Sequence, residues 1–182
     1  MNNRLRILII SLFMTTSLLA SDWAFGKKIH GKAYKYIMDI PNTMHEVADS
    51  VYNGANELLY FDTATDVVLI ISGRVSKFNS VNEYIDCSNP ELEQKLQSAF
   101  GDSTVQLISC ARSKYYPGKS AVVHFSLADV KDGLNTYVVY FIHNKEKDLQ
   151  ISFTYQKESE QQSLAYVDGI MQTFKLKWEL CV

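Results

Sequence analysis

Four strand-like segments follow one another in the second half of the chain, and only short turns separate them. The segments are 104–111, 120–127, 135–142 and 149–155. Pro117, Gly118 and Gly133 lie in the gaps, where such residues are typical of turns. Strands joined by short turns pair antiparallel, because a parallel pair needs a long crossover connection. This half of the chain therefore predicts an antiparallel sheet.

The first half of the chain contributes further strands. Residues 33–40 predict a strand that Pro41 ends, because proline cannot donate a hydrogen bond to a ladder. Residues 57–61 and 66–72 predict a hairpin. The apolar run 67–71 within it is typical of a strand that is covered on both faces.

Two helical patterns precede the strand run. Thr43 and Glu46 have capping-box spacing and predict a short helix that ends in the turn signal Asn53-Gly54. A second helix is expected from Pro90, with apolar residues on one stripe and Gly101 at its end.

A third helix is predicted near the C-terminus, where Ser159 and Gln162 have capping-box spacing. Its apolar stripe contains Leu164, Val167, Ile170, Met171 and Phe174. Residues 175–178 then predict a short edge strand. This order of elements predicts an α+β fold, in which helices pack on an antiparallel sheet.

The N-terminal segment has the order of a secretory signal peptide. Arg4 and Arg6 precede the apolar run 7–13, and no acidic residue comes before Asp22. The run is too short for a permanent membrane span. A lipid anchor would need a cysteine where Ser21 stands. We therefore expect a periplasmic or secreted protein of bacterial type with no stable membrane anchor after cleavage. The alternative is a buried N-terminal helix.

Two cleavage points are open. One follows Ala20, and the other follows Gly26, where Ala24-Phe25-Gly26 is the better match to the small-x-small pattern. Residues 1–26 are accordingly assigned to the signal peptide and residues 27–182 to a single domain.

Export determines how the three cysteines are interpreted, because disulfides persist in an oxidising compartment. Cys87 and Cys110 are the expected pair, and their bond would add on the order of 3 kcal/mol through loop entropy. Cys181 is then unpaired or available to another chain. The alternative is three buried free thiols. The chain has no C-x-x-C, and no cysteine lies close to a histidine, so neither a redox site nor a metal site is predicted.

Charge and motifs exclude several functions. The net charge is −2, with acidic and basic residues interspersed, which argues against nucleic-acid binding. The chain contains no G-x-S-x-G, no phosphate-binding glycine loop and no zinc spacing of histidines. Asp62 and Asp66 are interpreted as turn residues, and so are Asp129 and Asp132. We predict no catalytic residue, no cofactor and no metal.

Two histidines and a tyrosine pair are the remaining candidates for catalytic or binding residues. His124 and His143 are expected at the surface or an edge of the sheet. Eleven tyrosines are present, and tyrosine is favoured at protein interfaces as well as in strands. The best candidate contact surface is the turn that should expose Tyr115 and Tyr116 beside two cations, Arg112 and Lys114.

The order of elements over residues 33–177 resembles the PsbP-like fold, in particular the small periplasmic DcrB-like proteins. The resemblance rests on a strand ending in Ile40-Pro41, a hairpin around Thr63, a helix from Pro90 and a strand–helix unit over 149–176. It implies an α/β/α sandwich and a non-enzymatic accessory or partner-binding role, and it offers no catalytic residues. Ser21 departs from this group, whose members are usually lipid-anchored.

The expected function is that of a non-catalytic exported protein that binds another protein, such as an envelope protein. One alternative is an immunity protein that neutralises a secreted toxin acting in the periplasm. Another is an enzyme of unrecognised type.

Processing provides the first test. Exported protein is expected to begin at Ser21 or Lys27, and N-terminal sequencing of the secreted fraction measures this directly. Recovery of an intact chain beginning at Met1 from the membrane fraction would contradict the assignment of a signal peptide.

Overall fold

The computed structural model describes residues 25–31, 36–47, 58–101, 104–129, 133–144 and 147–176. The strands in these ranges are β1 (Phe25–His30), β2 (Tyr36–Pro41), β3 (Met44–Glu46), β4 (Leu58–Asp62), β5 (Val68–Val75), β6 (Thr104–Arg112), β7 (Ser120–Asp129), β8 (Gly133–Asn144), β9 (Lys147–Gln156) and β10 (Lys175–Leu176). The helices are α1 (Val81–Tyr84), α2 (Leu92–Phe100) and α3 (Glu160–Thr173), and a 3₁₀ turn (Lys157–Ser159) leads into α3.

The strands form two sheets in which every neighbouring pair is antiparallel. The larger sheet has the order β3-β4-β5-β9-β8-β7-β6, and the smaller has the order β1-β2-β10. The predicted strand run is confirmed as β6 to β9. The small sheet was not expected as a separate unit, because its strands come from opposite ends of the described chain.

Both faces of the large sheet are covered. On one face Val138, Tyr140 and Ile142 of β8 pack in the main core, which α3 and the small sheet close. On the other face Val139 of β8 is buried, and Phe141 packs beside it in a smaller core that includes residues of β6, β7 and α2. The predicted α+β sandwich is therefore confirmed.

The outer edge of β6 is occupied by side chains of α2. The backbone N–H of Val105 donates to Gln97 Oε1 at 2.7 Å, and that of Leu107 donates to Glu93 Oε2 at 2.7 Å. Unpaired edge groups favour pairing with other chains, so these bonds protect the edge. A disulfide joins Cys110 on β6 to Cys87 with a Cα–Cα distance of 5.1 Å, which is the expected pairing.

Two expectations for the first half are wrong. Met44–Glu46 is strand β3, not the start of a helix, because Met44 is fully buried and pairs with β4. Asn53-Gly54 lies outside the described residues. The apolar run is not buried on both faces: Leu69 and Ile71 are buried, whereas Val68 and Ile70 are half-buried.

The predicted C-terminal helix is confirmed as α3, but its capping and one side chain differ. Ser159 makes no cap bond; its hydroxyl donates to the Gln156 carbonyl. Leu164 is 36% exposed, and the buried aromatic residue of this part of the helix is Tyr166. Its hydroxyl donates to the fully buried carboxylate of Asp62. Burial alone would raise the pKa of Asp62, but hydrogen bonds from Tyr166 and from the Ala64 N–H hold it below its usual value.

Helix α1 was not predicted, although Ser80 and Glu83 have capping-box spacing and the Ser80 hydroxyl accepts from the Glu83 N–H. No helix within the described ranges is long and apolar enough to cross a membrane. Most of the expected signal peptide and Cys181 lie outside the described residues.

The packing of α3 provides the second test. Ile170 is completely buried, so Ile170→Ala is expected to lower the free energy of unfolding by about 2–5 kcal/mol. Leu164→Ala is the matched control on the same helix and should cost less than about 1 kcal/mol, because its side chain is partly exposed. Urea denaturation measures both, and equal losses would contradict this orientation of α3.

Candidate interaction site at the end of strand β5

Arg74, near the end of β5, is the centre of an ordered cationic cluster. Its side chain is 53% exposed. The guanidinium carbon lies 4.7 Å from the centre of the Tyr84 ring and 5.3 Å from the centre of the Phe78 ring. These two rings stack on each other with centroids 5.2 Å apart. Both contacts are cation–π distances, so the aromatic pair holds the guanidinium at the surface.

A buried carboxylate lies beside this arginine. Asp148 is completely buried, and its Oδ2 is 3.6 Å from Arg74 Nε while its Oδ1 is 2.9 Å from His143 Nδ1. The register of the sheet explains the grouping: Arg74 on β5 and His143 on β8 both pair with Asp148 on β9. Directly paired residues project to the same face, so three strands bring these side chains together.

Ser76 completes a Ser–His–Asp set, but its geometry differs from that of a catalytic triad. The hydroxyl oxygen of Ser76 lies 3.3 Å from His143 Nδ1, the same nitrogen that contacts Asp148. In a triad the nucleophile and the carboxylate occupy opposite ring nitrogens. The Ser76 hydroxyl also donates to the Phe78 carbonyl at 3.2 Å and accepts from the Phe78 N–H at 3.1 Å. The set therefore shapes the turn after β5 and does not activate the serine.

The arrangement orders a positive charge. A buried carboxylate is costly unless it is paired, and here it is paired with both His143 and Arg74. Burial raises the pKa of Tyr84 to about 12; the charge of Arg74 acts in the opposite direction, and that of Asp148 adds to the increase. The phenol is therefore neutral at physiological pH and acts as a stacking surface for the arginine.

Other groups lie at the same end of the sheet. Lys77 and Lys119 are exposed, and the backbone carbonyl of Lys119 accepts from the His143 N–H at 2.8 Å. Val75, next to Arg74, is 75% exposed. Among the described residues, no three His, Cys, Asp or Glu side chains meet as metal ligands. The exposed cations at this end of the sheet favour contact with an anionic group.

The turn that sequence patterns favoured as a contact surface is built differently from expectation. Tyr115 and Tyr116 are half-buried and pack against the main core, so the expected exposure is wrong. Tyr115 donates to the Asp168 carboxylate at 2.6 Å, and Lys114 pairs with the same carboxylate at 2.7 Å. Lys114 is 66% exposed, and Arg112 is exposed and donates to the side chain of Asn82.

The structure thus separates the four predicted residues. Lys114 and Tyr115 contact α3 through Asp168, Tyr116 contacts β10, and Arg112 contacts α1 through Asn82. A binding role for them stays a prediction. Tyr116 has a positive φ of 58° and begins the turn in which its carbonyl accepts from the Lys119 N–H at 3.0 Å.

The histidines also differ from expectation. His143 is buried, because it faces the α1 side of a central strand. His124 is mostly covered and lies 3.3 Å from the carboxylate of Glu160. The Arg74 cluster was missed because its members lie far apart in sequence. The available signal was a charged residue, Arg74, in the same strand as the apolar run.

The comparisons with known proteins identify the fold. No family model matches the sequence, and no match is found among curated proteins. Cyanobacterial PsbP (CyanoP) from Synechocystis sp. has a TM-score of 0.64 at 12% identity over 82% of this chain and 91% of that chain. The Ran-binding protein Mog1p of Saccharomyces cerevisiae has a TM-score of 0.57 at 11% identity over 82% and 94%. A protein from Bacteroides thetaiotaomicron has a TM-score of 0.51 at 15% identity over 84% and 48%. The chain has the PsbP-like fold.

The position of Tyr116 provides the third test. Its hydroxyl donates to the Phe174 carbonyl at 3.2 Å and accepts from the Leu176 N–H at 2.9 Å. Tyr116→Phe removes both bonds and is expected to cost about 1–2 kcal/mol in urea denaturation. Tyr140→Phe is the control, because no hydrogen bond joins its hydroxyl to the described residues, and it should change stability by less than about 0.5 kcal/mol. Equal effects would contradict a role for Tyr116 in holding β10.

Proposed function

We propose that the protein is a non-catalytic accessory protein of the cell envelope that works by binding another protein. The observation that carries this proposal is the Arg74 cluster. It presents an ordered cation at the surface, and its Ser–His–Asp set has both oxygen partners on one nitrogen of His143. Such a cluster suits recognition of a partner, because an arginine that is already ordered loses less conformational entropy when it binds.

The proposal includes export. The signal peptide expected from residues 1–26 supports it, as does a disulfide of the kind that persists in oxidising compartments. Strand β1 begins at Phe25, so cleavage after Ala20 leaves it whole, whereas cleavage after Gly26 removes its first two residues. We therefore favour Ser21 as the first residue of the exported form. Membership of the DcrB-like group stays a prediction.

Binding to a protein is tested in the exporting cell. The chain with its signal peptide is produced at low level, cross-linked in intact cells and purified, and each captured protein is then produced separately. We expect one envelope or secreted protein to bind the purified chain saturably, with a fixed ratio in titration calorimetry. Lys28→Gln is the control variant and should bind unchanged, because Lys28 is on the small sheet whereas Arg74 is on the large one.

Four outcomes separate the alternatives. A saturable partner supports the proposal, and a partner that is a toxin encoded beside this gene would make the protein an immunity protein. The absence of any saturable partner contradicts a binding role. Turnover of a peptidoglycan, lipid or ester substrate that His143→Ala abolishes would instead favour an enzyme.

A further inference from the structure

We infer that Arg74 forms a carboxylate-binding site for an acidic segment of the partner protein. This inference rests on the proposed binding function and names the chemistry that recognises the partner. It depends on three properties of the site: the guanidinium is held in place, its outer nitrogens are available, and the groups around it favour an anion.

The guanidinium is held from two directions. The stacked rings of Tyr84 and Phe78 contact it, and Asp148 lies beside Nε. Tyr84 is itself fixed by an edge-on contact with Phe141, whose ring centre lies 5.0 Å away. A long side chain normally loses rotamer freedom when it binds. Arg74 has lost part of this freedom in the folded protein, so less remains to be lost on binding.

The terminal nitrogens are the part of the group that remains for a ligand. Asp148 approaches Nε, and no hydrogen-bond acceptor for the two terminal nitrogens lies among the described residues. Arginine presents its N–H groups in a planar fork that matches the two oxygens of a carboxylate. A lysine in this position could offer only a point charge. The fork therefore suits an anion that offers two oxygens side by side, as a carboxylate does.

The neighbouring groups also favour an acidic ligand. Lys77 and Lys119 are exposed at this end of the sheet. Asp148 is completely buried and already paired, so it does not present a competing charge to an incoming ligand. Glu83 on α1, next to Tyr84, is an exposed carboxylate of the described ranges, and it accepts from Asn79 N at 2.9 Å and from Asn79 Nδ2 at 3.1 Å. Opposite charges on the two partners would increase the association rate.

A protein segment fits this surface better than a lipid membrane. Ile70 and Val68 of β5 are half-buried and project to the same face as Arg74, whereas the strongly exposed Val75 projects to the opposite face of the strand. The other large apolar residues that are exposed in the described ranges are scattered over different elements: Val47, Phe100, Ile108, Leu134 and Leu164. Membrane surfaces are bound by a continuous apolar face combined with many cations. A single ordered arginine with a small apolar flank is suited to one acidic side chain and its neighbour.

The test uses the arginine signals of the exported form that begins at Ser21. It has two arginines, Arg74 and Arg112, so its Nε–Hε spectrum contains two signals that single Arg→Lys variants assign. The chain is titrated with a hexaglutamate peptide at low salt. We expect the Arg74 signal to shift saturably and the Arg112 signal to stay in place. Raising the salt concentration to 0.5 M should weaken binding, because screening reduces the attraction between exposed charges.

Arg74→Lys is the decisive variant, because it keeps a positive charge beside Asp148 and so avoids leaving a buried charge unpaired. It should bind hexaglutamate at least five-fold more weakly than the wild type, and its circular dichroism spectrum should show that it remains folded. Arg112→Lys is the matched control and should bind within two-fold of the wild type. Hexaglutamine should bind neither form.

The outcomes distinguish this inference from the proposed function. Equal binding by Arg74→Lys, or a shift of Arg112 instead of Arg74, overturns the inference. Binding to phosphatidylglycerol vesicles but not to hexaglutamate also overturns it and indicates a membrane surface. If the captured partner binds Arg74→Lys as tightly as the wild type, the inference fails while the binding function stands. If no partner exists, the binding function fails whatever the peptide shows.

Discussion

The central strands of the large sheet have apolar side chains on both faces, and the arrangement of the rest of the fold follows from covering them. Tyr140 and Ile142 of β8 face α3 and the small sheet, whereas Val139 and Phe141 face the α1–α2 side. Antiparallel sheets often leave one face to solvent, but this one cannot do so at its centre without exposing large apolar surface. The elements that cover one of these faces come from both ends of the described chain: β1 and β2 from its start, and α3 and β10 from its end. The small sheet, in which β10 pairs with β2, is the result.

Two buried carboxylates of this sheet have partners on neighbouring elements. Asp148 has Arg74 and His143 on the neighbouring strands, and Asp62 has Tyr166 on α3. A buried charge without such partners would shift its pKa or destabilise the fold. The partner of Asp148 that reaches solvent is Arg74, and the requirement to compensate a buried carboxylate therefore also places an ordered cation at the surface. Stability and recognition are linked at this point.

The PsbP-like fold is shared with proteins whose sequences differ almost completely from this one. CyanoP and Mog1p superimpose on more than four-fifths of the chain at 11–12% identity. A fold maintained at such identity constrains the positions of apolar residues and the order of elements, and leaves the surface free to vary. The function of this chain must therefore be argued from its own surface. The Arg74 cluster is the part of that surface where charge, aromatic stacking and strand register coincide.

Local patterns in the sequence were sufficient for the elements whose stability is local. The strands β6 to β9 and the helices α2 and α3 follow from alternation, helical periodicity and turn residues, and the expectation of export favoured the Cys87–Cys110 pairing over free thiols. Met44–Glu46 shows where this reasoning ends. The capping-box spacing predicted a helix there, but the segment is a strand because Met44 is buried beside β4. Tyr116 shows the same for a turn, because its hydroxyl accepts a hydrogen bond from Leu176 of β10.

The candidate site belongs to what only the tertiary structure decided. Arg74, His143 and Asp148 lie on three strands, and no local pattern relates the first to the other two. Their meeting depends on the insertion of β9 between β5 and β8, which is a pairing of segments distant in sequence. Periodicity shows which face of a strand is apolar, but it does not show which strand lies beside it. The sequence by itself therefore determined the class of fold and its elements, and the order of the strands determined the site.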